Sequence, residues 1–379
     1  MKFESFQAGV WRQQTQYKSF SPVPVDHEWT WEDGRIHTLL ERSAKALAEL
    51  NAYSQIEPDI DLFIQMFLFK EACHSCHIEG AHLAIDEALM PEAQVAPEKR
   101  HDWQMVHDYV DAVGGAAEGL EAEPLSCRLL CQIHAKLVDG ASGPHGPAGE
   151  FRVTQNWIGG SGLLDAVFPP PHPSEVPDLM EDLEAFWTNE SVDVPHLIRI
   201  GISHYQFETV HPFGEANGRL GRLLIPLYLV DRGVMRKSSL FLSEFFDRNR
   251  AHYHDALMRV RIGNDIIHWI RFFLTGVAET SIRGNAVFQK VLALRRERNV
   301  SVSKLGRRAQ IGRELIHLLY RTPYVTASDV AGKLGVSIPT ANALIRDFVS
   351  EGILKQVAGA RRNRGFAFSE YINLFMAGH

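Results

Sequence analysis

Twelve consecutive residues, His211-Pro212-Phe213-Gly214-Glu215-Ala216-Asn217-Gly218-Arg219-Leu220-Gly221-Arg222, set a titratable base, an acid, three glycines and two arginines side by side. His211 can take a proton from an incoming nucleophile. Glu215 is a hard oxygen donor able to hold a magnesium ion against phosphates. The glycines let the backbone approach a ligand closely, and N–H groups from Gly214 to Gly218 can bind phosphate oxygens. Arg219 and Arg222, three apart on one helix face, can fork around the same phosphate. Together these parts suit attack on a nucleotide phosphate. The plainer alternative is a glycine-rich turn that caps a core helix.

Two helices must position them. The apolar run from Leu223 to Val230 reads as a buried helix with Asn217 as its N-cap, and Pro226 is expected to kink it. The preceding helix, 195–210, carries His204-x-x-x-Glu208-x-x-His211. That i, i+4, i+7 face would also suit zinc. A metal-bound His211 could not act as a base, so the two readings exclude each other, and the longer signature favours the base.

The twelve residues resemble the signature of the Fic family, His-Pro-Phe-x-(Asp/Glu)-Gly-Asn-Gly-Arg-x-x-Arg. Ala216 departs from it, standing where the family has Gly. The resemblance covers about residues 60–280. It implies a protein adenylyltransferase that uses ATP and Mg²⁺ and moves AMP to a Ser, Thr or Tyr hydroxyl of a target protein. His211 would be the base and Glu215 the metal ligand. Phe213, Gly214, Glu215, Ala216, Asn217, Gly218, Arg219 and Arg222 would contact the nucleotide. In the run Asn249-Arg250-Ala251-His252-Tyr253-His254, Tyr253 matches a tyrosine that lines the adenine pocket. Core packing is its other reading.

Glu71 to Gly80 ends a helix expected over 60–78. Cys73-His74-Ser75-Cys76-His77 fits a haem-attachment pattern or half a zinc site. Ser75-x-x-x-Glu79-Gly80 is similar to the inhibitory motif of Fic proteins. That resemblance implies a Glu79 held against Arg222, which would deny the arginine to the γ-phosphate. Residues 150–160, followed by a return over 163–168, read as a β-hairpin with a glycine turn. It resembles the family's flap, on which Asn156, Trp157, Ile158 and Gly159 contact target and nucleotide and the target docks by strand addition.

The remaining chain supplies scaffold. Residues 1–40 read as an extended arm with tryptophan anchors, and 36–50 as a helix. Cys127, Cys131 and His134 share a helix face that could ligate metal, although a core stripe is the commoner outcome. A basic helical connector is expected over 281–310. Residues 311–379 read as a winged helix, with Gly335 in the turn, Ser337 as a cap, and Arg361, Arg362 and Arg364 at the wing tip. Its partner would be duplex DNA or a protein.

The fold class is therefore all-α, with one hairpin and a C-terminal winged helix. Residues 1–110 form the N-terminal helical region, with the inhibitory helix near 60–80, and 111–280 the catalytic core. With 379 residues, 22% charged and a net charge of −7, whole-protein affinity for nucleic acid is not expected. Four cysteines do not suggest a disulfide framework, and no leader or membrane span is read, so a cytoplasmic protein is expected. A homodimer rests on resemblance alone. Two other functions compete: removal of AMP from a modified target, and a DNA-binding regulator whose nucleotide pocket senses ATP.

Overall fold

The computed structural model describes residues 1–57, 59–138, 146–357 and 364–376. The N-terminal arm is a β-hairpin rather than an extended strap. Strand β1 (Gly9–Gln13) pairs antiparallel with β2 (Lys18–Pro22), and Trp11 lies opposite Phe20 with ring centroids 5.2 Å apart. The connecting turn, Gln14-Thr15-Gln16-Tyr17, has none of the glycine or asparagine that advertises a tight hairpin. Aromatic packing across the strands holds the pair instead.

Helices then follow in order: α1 (Gly34–Ile56), α2 (Ile60–Ile78), α3 (Ile85–Ala88), α4 (Arg100–Ala122), α5 (Cys127–Leu137), α6 (Val176–Thr188), α7 (His196–Val210), α8 (Asn217–Asp231), α9 (Ser243–Arg248), α10 (Arg250–Gly263) and α11 (Ile266–Ser303). Asp33 and Ser126 cap α1 and α5 by accepting from Ile36 and Leu129 N–H groups. Helix α7 is the axis of the core, since every residue from 197 to 210 is buried. A helix apolar or satisfied all round belongs inside. Gly201 lets α11 come close: a Cβ there would lie 3.0 Å from Phe273, and the Trp269 indole N–H donates to the Gly201 carbonyl at 2.8 Å. Helix α8 packs beside α7 and continues through Pro226 to Asp231.

The stretch read as a connector is the second half of α11, a single helix of 38 residues and so about 57 Å. Beyond it come α12 (Ala309–Arg321), β3 (Tyr324–Thr326), α13 (Ala327–Leu334), α14 (Ile338–Ser350), β4 (Lys355–Gln356), β5 (Gly365–Ala367) and α15 (Ser369–Met376). The strands form an antiparallel sheet in the order β3-β5-β4. Thr326 and Asp329 make a capping box, Gly335 turns at φ +64°, and the Ser337 hydroxyl caps α14. Arg364 borders β5, whereas Arg361 and Arg362 lie outside the described residues.

This C-terminal unit packs directly on α2. Phe63 meets the Tyr320 ring edge-on at 5.5 Å, and Phe67 meets Phe375 at 5.0 Å. Arg295 of α11 pairs with Glu57 and Asp59 at the start of α2, and Arg298 pairs with Glu370 at 2.6 Å. Among the described residues, no helix is long and apolar enough to cross a membrane.

Candidate active site

The twelve-residue stretch forms the turn between α7 and α8. His211 closes α7 at φ +50°, and Ala216 opens α8 at φ +55°. Both are L-residues in the left-handed region, where a side chain costs roughly 1–2 kcal/mol. Ala216, and not Asn217, is the N-cap residue. Asn217 is the first helical residue and clamps the turn from inside. Its Oδ1 accepts the Phe213 N–H at 2.8 Å, and its Nδ2 donates to the Phe213 carbonyl at 2.8 Å. The departure from the family signature therefore falls at a position whose backbone suits glycine.

Loop 150–168 fixes the other side of the turn. Arg152, only 2% exposed, donates from Nε to the His211 carbonyl at 2.9 Å and from Nη2 to Pro171 at 2.7 Å. Asn156 Nδ2 donates to the carbonyls of His211 at 3.3 Å and Phe213 at 2.9 Å. The hairpin expected here is not a ladder. It is an irregular loop closed by one antiparallel bridge, Ile158 with Phe168. Its polar side chains anchor it instead: Arg152 Nη2 donates to the Pro171 carbonyl at 2.7 Å and Gln155 Nε2 to the Pro170 carbonyl at 3.0 Å. Trp157 and Ile158 are half-buried, and Gly159 turns at φ +68° against Val167.

His211 Nδ1 is buried with no hydrogen-bond partner among the described residues. Burial first, then the charges of Arg261 and Arg152, push its imidazole down to about 3. It is therefore neutral near pH 7, and the same burial makes it a weaker base than a free imidazole. His204, by contrast, uses both ring nitrogens inside the core, on the Gly221 carbonyl at 2.8 Å and the Tyr253 hydroxyl at 2.9 Å. Glu208 is buried beneath Gly221, where a Cβ would sit 2.4 Å from its Oε1. Burial raises the Glu208 carboxyl to about 7. The His204-Glu208-His211 face is thus divided between core and turn and does not converge on a metal. Tyr253 is 1% exposed and stacks on Phe246 at 4.4 Å.

The two arginines meet one carboxylate. Arg219 Nε donates to Glu79 Oε2 at 2.9 Å, and Arg222 Nη2 donates to Glu79 Oε1 at 2.9 Å. Arg222 also donates from Nε to the Ser75 hydroxyl and from Nη2 to the Ser75 carbonyl, both at 2.9 Å. Ser75 and Glu79, four apart on α2, share the face turned to α8. A Cβ on Gly218 would come 2.8 Å from both Glu79 Oε1 and Arg222 Nη1, so glycine here lets the carboxylate and guanidinium lie over the first turn of α8 without shifting. Sequence reading paired Glu79 with Arg222; the structure adds Arg219.

Cys73 and Cys76 are buried free thiols, with burial raising Cys73 beyond the usual thiol range and Cys76 to about 12. Cys127 and Cys131 are also free thiols. His134 accepts the Gly149 N–H on Nδ1 at 2.9 Å, so its Nε2 carries the proton toward the Glu215 carbonyl at 3.2 Å. Its ring stacks on Phe213 at 4.0 Å. Neither nitrogen is left for a metal. His134 and Arg152 are turn-holding residues that sequence reasoning missed. An arginine inside an otherwise apolar alternation, Phe151-Arg152-Val153, was the available signal. Glu215 is exposed at the turn, beside the start of α8. A single exposed carboxylate beside a turn of backbone N–H groups would fit magnesium, which keeps several waters and takes its other ligands from a bound phosphate.

Comparison with known proteins agrees with this geometry. Residues 124–229 match the Fic/DOC family, 37–118 the Fic/DOC family N-terminal region, and 308–355 a winged helix-turn-helix DNA-binding family. A relative from Aquifex aeolicus named "Probable protein adenylyltransferase aq_aa38" is 27% identical over 213 residues, 56% of this chain and 61% of its own length. Protein adenylyltransferase fic-1 of Caenorhabditis elegans is 26% identical over 211 residues, 52% of this chain and 37% of its own. The chain thus spans less than two thirds of the curated relatives it matches. A Fic family protein from Desulfovibrio desulfuricans shares the fold at TM-score 0.57 and 17% identity, covering 90% of this chain and 98% of that one. A Fic domain containing signaling protein from Bacteroides thetaiotaomicron does so at TM-score 0.51 and 17% identity, covering 66% and 96%. The turn between α7 and α8 lies within the stretch that matches the Fic/DOC family, α2 within the match to its N-terminal region, and the C-terminal unit contains the winged helix-turn-helix match.

Proposed function

We propose that this chain is a protein adenylyltransferase held in check by Glu79. A target hydroxyl oxygen attacks the α-phosphorus of ATP in line. The bond to the pyrophosphate oxygen breaks, AMP stays on the target, and the hydroxyl proton passes to neutral His211. N–H groups from Gly214 to Gly218 bind phosphate oxygens, and Arg219 and Arg222 stabilise charge on the leaving pyrophosphate. Glu215 would hold magnesium, which when bound neutralises phosphate charge. Asn156 to Gly159 present the hydroxyl to His211, with the target chain docked along the loop.

The observation that carries this reading is the Glu79 carboxylate seated on both arginines above the α8 N-terminus, beside an imidazole kept neutral. A carboxylate there occupies an anion site that a triphosphate requires. The winged helix supplies a separate partner site. α14 and β4–β5 border an open groove of about 770 Å³ lined in part by Asn342, Arg346 and Arg364, side chains suited to bases and phosphates of duplex DNA.

The test is intact-mass spectrometry of the Glu79→Gly protein after incubation with ATP and Mg²⁺. A mass gain of one AMP, absent in Glu79→Gly/His211→Ala, is expected. Equal gain with and without His211 overturns the mechanism.

A further inference from the structure

The inhibitory helix is gripped from two sides, and only one involves the catalytic arginines. On helix α2, Ser75 and Glu79 face α8, whereas His74 and His77 face α9, about 150° away around the helix. A basic row on that far face, Lys70, His74 and His77, meets an acidic pair on α9, Glu244 and Asp247. Lys70 Nζ lies 2.8 Å from Glu244, and His74 Nδ1 and His77 Nδ1 each lie 2.8 Å from Asp247. A carboxylate can only accept, so both imidazoles donate to it. The Asp247 and His74 side chains are each 9% exposed, so the bond between them is made away from water, whereas His77 is 46% exposed.

The next residues close the end of the helix. Arg250, at the start of α10, donates to the carbonyls of His77 and Ile78. Both carbonyls belong to the last turn of α2, where a cation is favoured, and the His77 carbonyl also accepts the Gly80 N–H at 3.0 Å. Glu79 follows immediately and has the backbone of the helix C-cap. Arg250 therefore fixes the peptide that carries the inhibitory carboxylate.

We propose that Asp247 and Arg250 are positioning residues that lock the last turn of α2 and thereby hold Glu79 on Arg219 and Arg222. This rests on the adenylyltransferase reading of the site. Without the lock, the last turn frays, the carboxylate leaves the arginines, and the triphosphate takes its place. Neither residue needs to touch the reacting atoms.

The experiment compares AMP transfer from labelled ATP by the full chain carrying Asp247→Asn, Arg250→Ala or Arg250→Lys, in the parent and in the Glu79→Gly background. In the parent background, Asp247→Asn and Arg250→Ala raise transfer about five- to tenfold, while Arg250→Lys restores restraint. In Glu79→Gly they change transfer by less than about twofold, because the group they position is gone. Backbone amide exchange over residues 74–80 quickens in Asp247→Asn and Arg250→Ala. A rise of equal size in both backgrounds, no rise, or a fall in both overturns the lock. Should Glu79→Gly itself transfer no AMP, the functional reading fails, and unchanged or quickened amide exchange then decides the lock alone.

Discussion

Replacing Glu79 tests how much restraint one carboxylate exerts. It accepts one charge-assisted bond from each of Arg219 and Arg222, both at 2.9 Å. The Glu79 side chain is 25% exposed, so each bond is taken at the lower end for charged partners, about 1.5 kcal/mol. Displacing the carboxylate from both guanidinium groups then costs about 3 kcal/mol, which a productive triphosphate must overcome before reaction. At 1.36 kcal/mol per tenfold, Glu79→Gly raises the rate of AMP transfer by roughly a hundredfold. Arg222 keeps the Ser75 hydroxyl and carbonyl, so the arginine stays in place in the variant. Glu79→Gln keeps the shape and loses the charge, and about a tenfold rise is expected. The assay is the initial rate of incorporation from α-labelled ATP with saturating Mg²⁺, alongside calorimetric titration of MgATP on His211→Ala forms. Equal rates for wild type and Glu79→Gly, with MgATP bound by both, would refute the reasoning.

Two further outcomes concern the buried turn. Ala216→Gly removes an L-side chain from φ +55° and is expected to raise stability by about 0.5–1 kcal/mol, read as an increase in Tm by calorimetry; a lower Tm contradicts the strain. Glu208 is protonated more readily folded, near 7, than at its ordinary 4.5. Its stabilising contribution is therefore full below about 4.5 and is lost as pH rises through about 7, a swing of about 3 kcal/mol. Glu208→Gln abolishes that swing, so the variant gains on wild type between pH 5 and 8 in denaturant titrations, and parallel pH curves for the two proteins would argue against it.

The signature turn was legible because its chemistry is contiguous: His211, Glu215, Arg219 and Arg222 need only one loop and one helix turn to come together. Long amphipathic helices were legible for a similar reason, since period and length are local. What stayed hidden depends on distant partners. Nothing near Arg152 announces that it will hold the His211 carbonyl, because that bond spans 59 positions. Ala216 as the cap in place of Asn217 follows from a left-handed backbone that the sequence shows only as a missing glycine. The β-hairpin at 9–22 lacks turn residues, and loop 150–168 has strand-like alternation without a ladder. In both, tertiary packing outweighs local preference.

Helix α2 joins the winged unit to Arg219 and Arg222, and its grip points set a gearing. From Phe63, packed on Tyr320, to His77, held by Asp247, is fourteen residues, about 21 Å. From His77 to Glu79 is two residues, about 3 Å. If α2 tilts about the Asp247 grip, motion at the Phe63 end reaches Glu79 reduced roughly sevenfold. A displacement of about 4 Å at that end would stretch the ion pairs by only about 0.6 Å. Tilting is thus a poor input to this site, whereas unwinding of the last turn, or rotation of α2 about its own axis, passes to Glu79 undiminished.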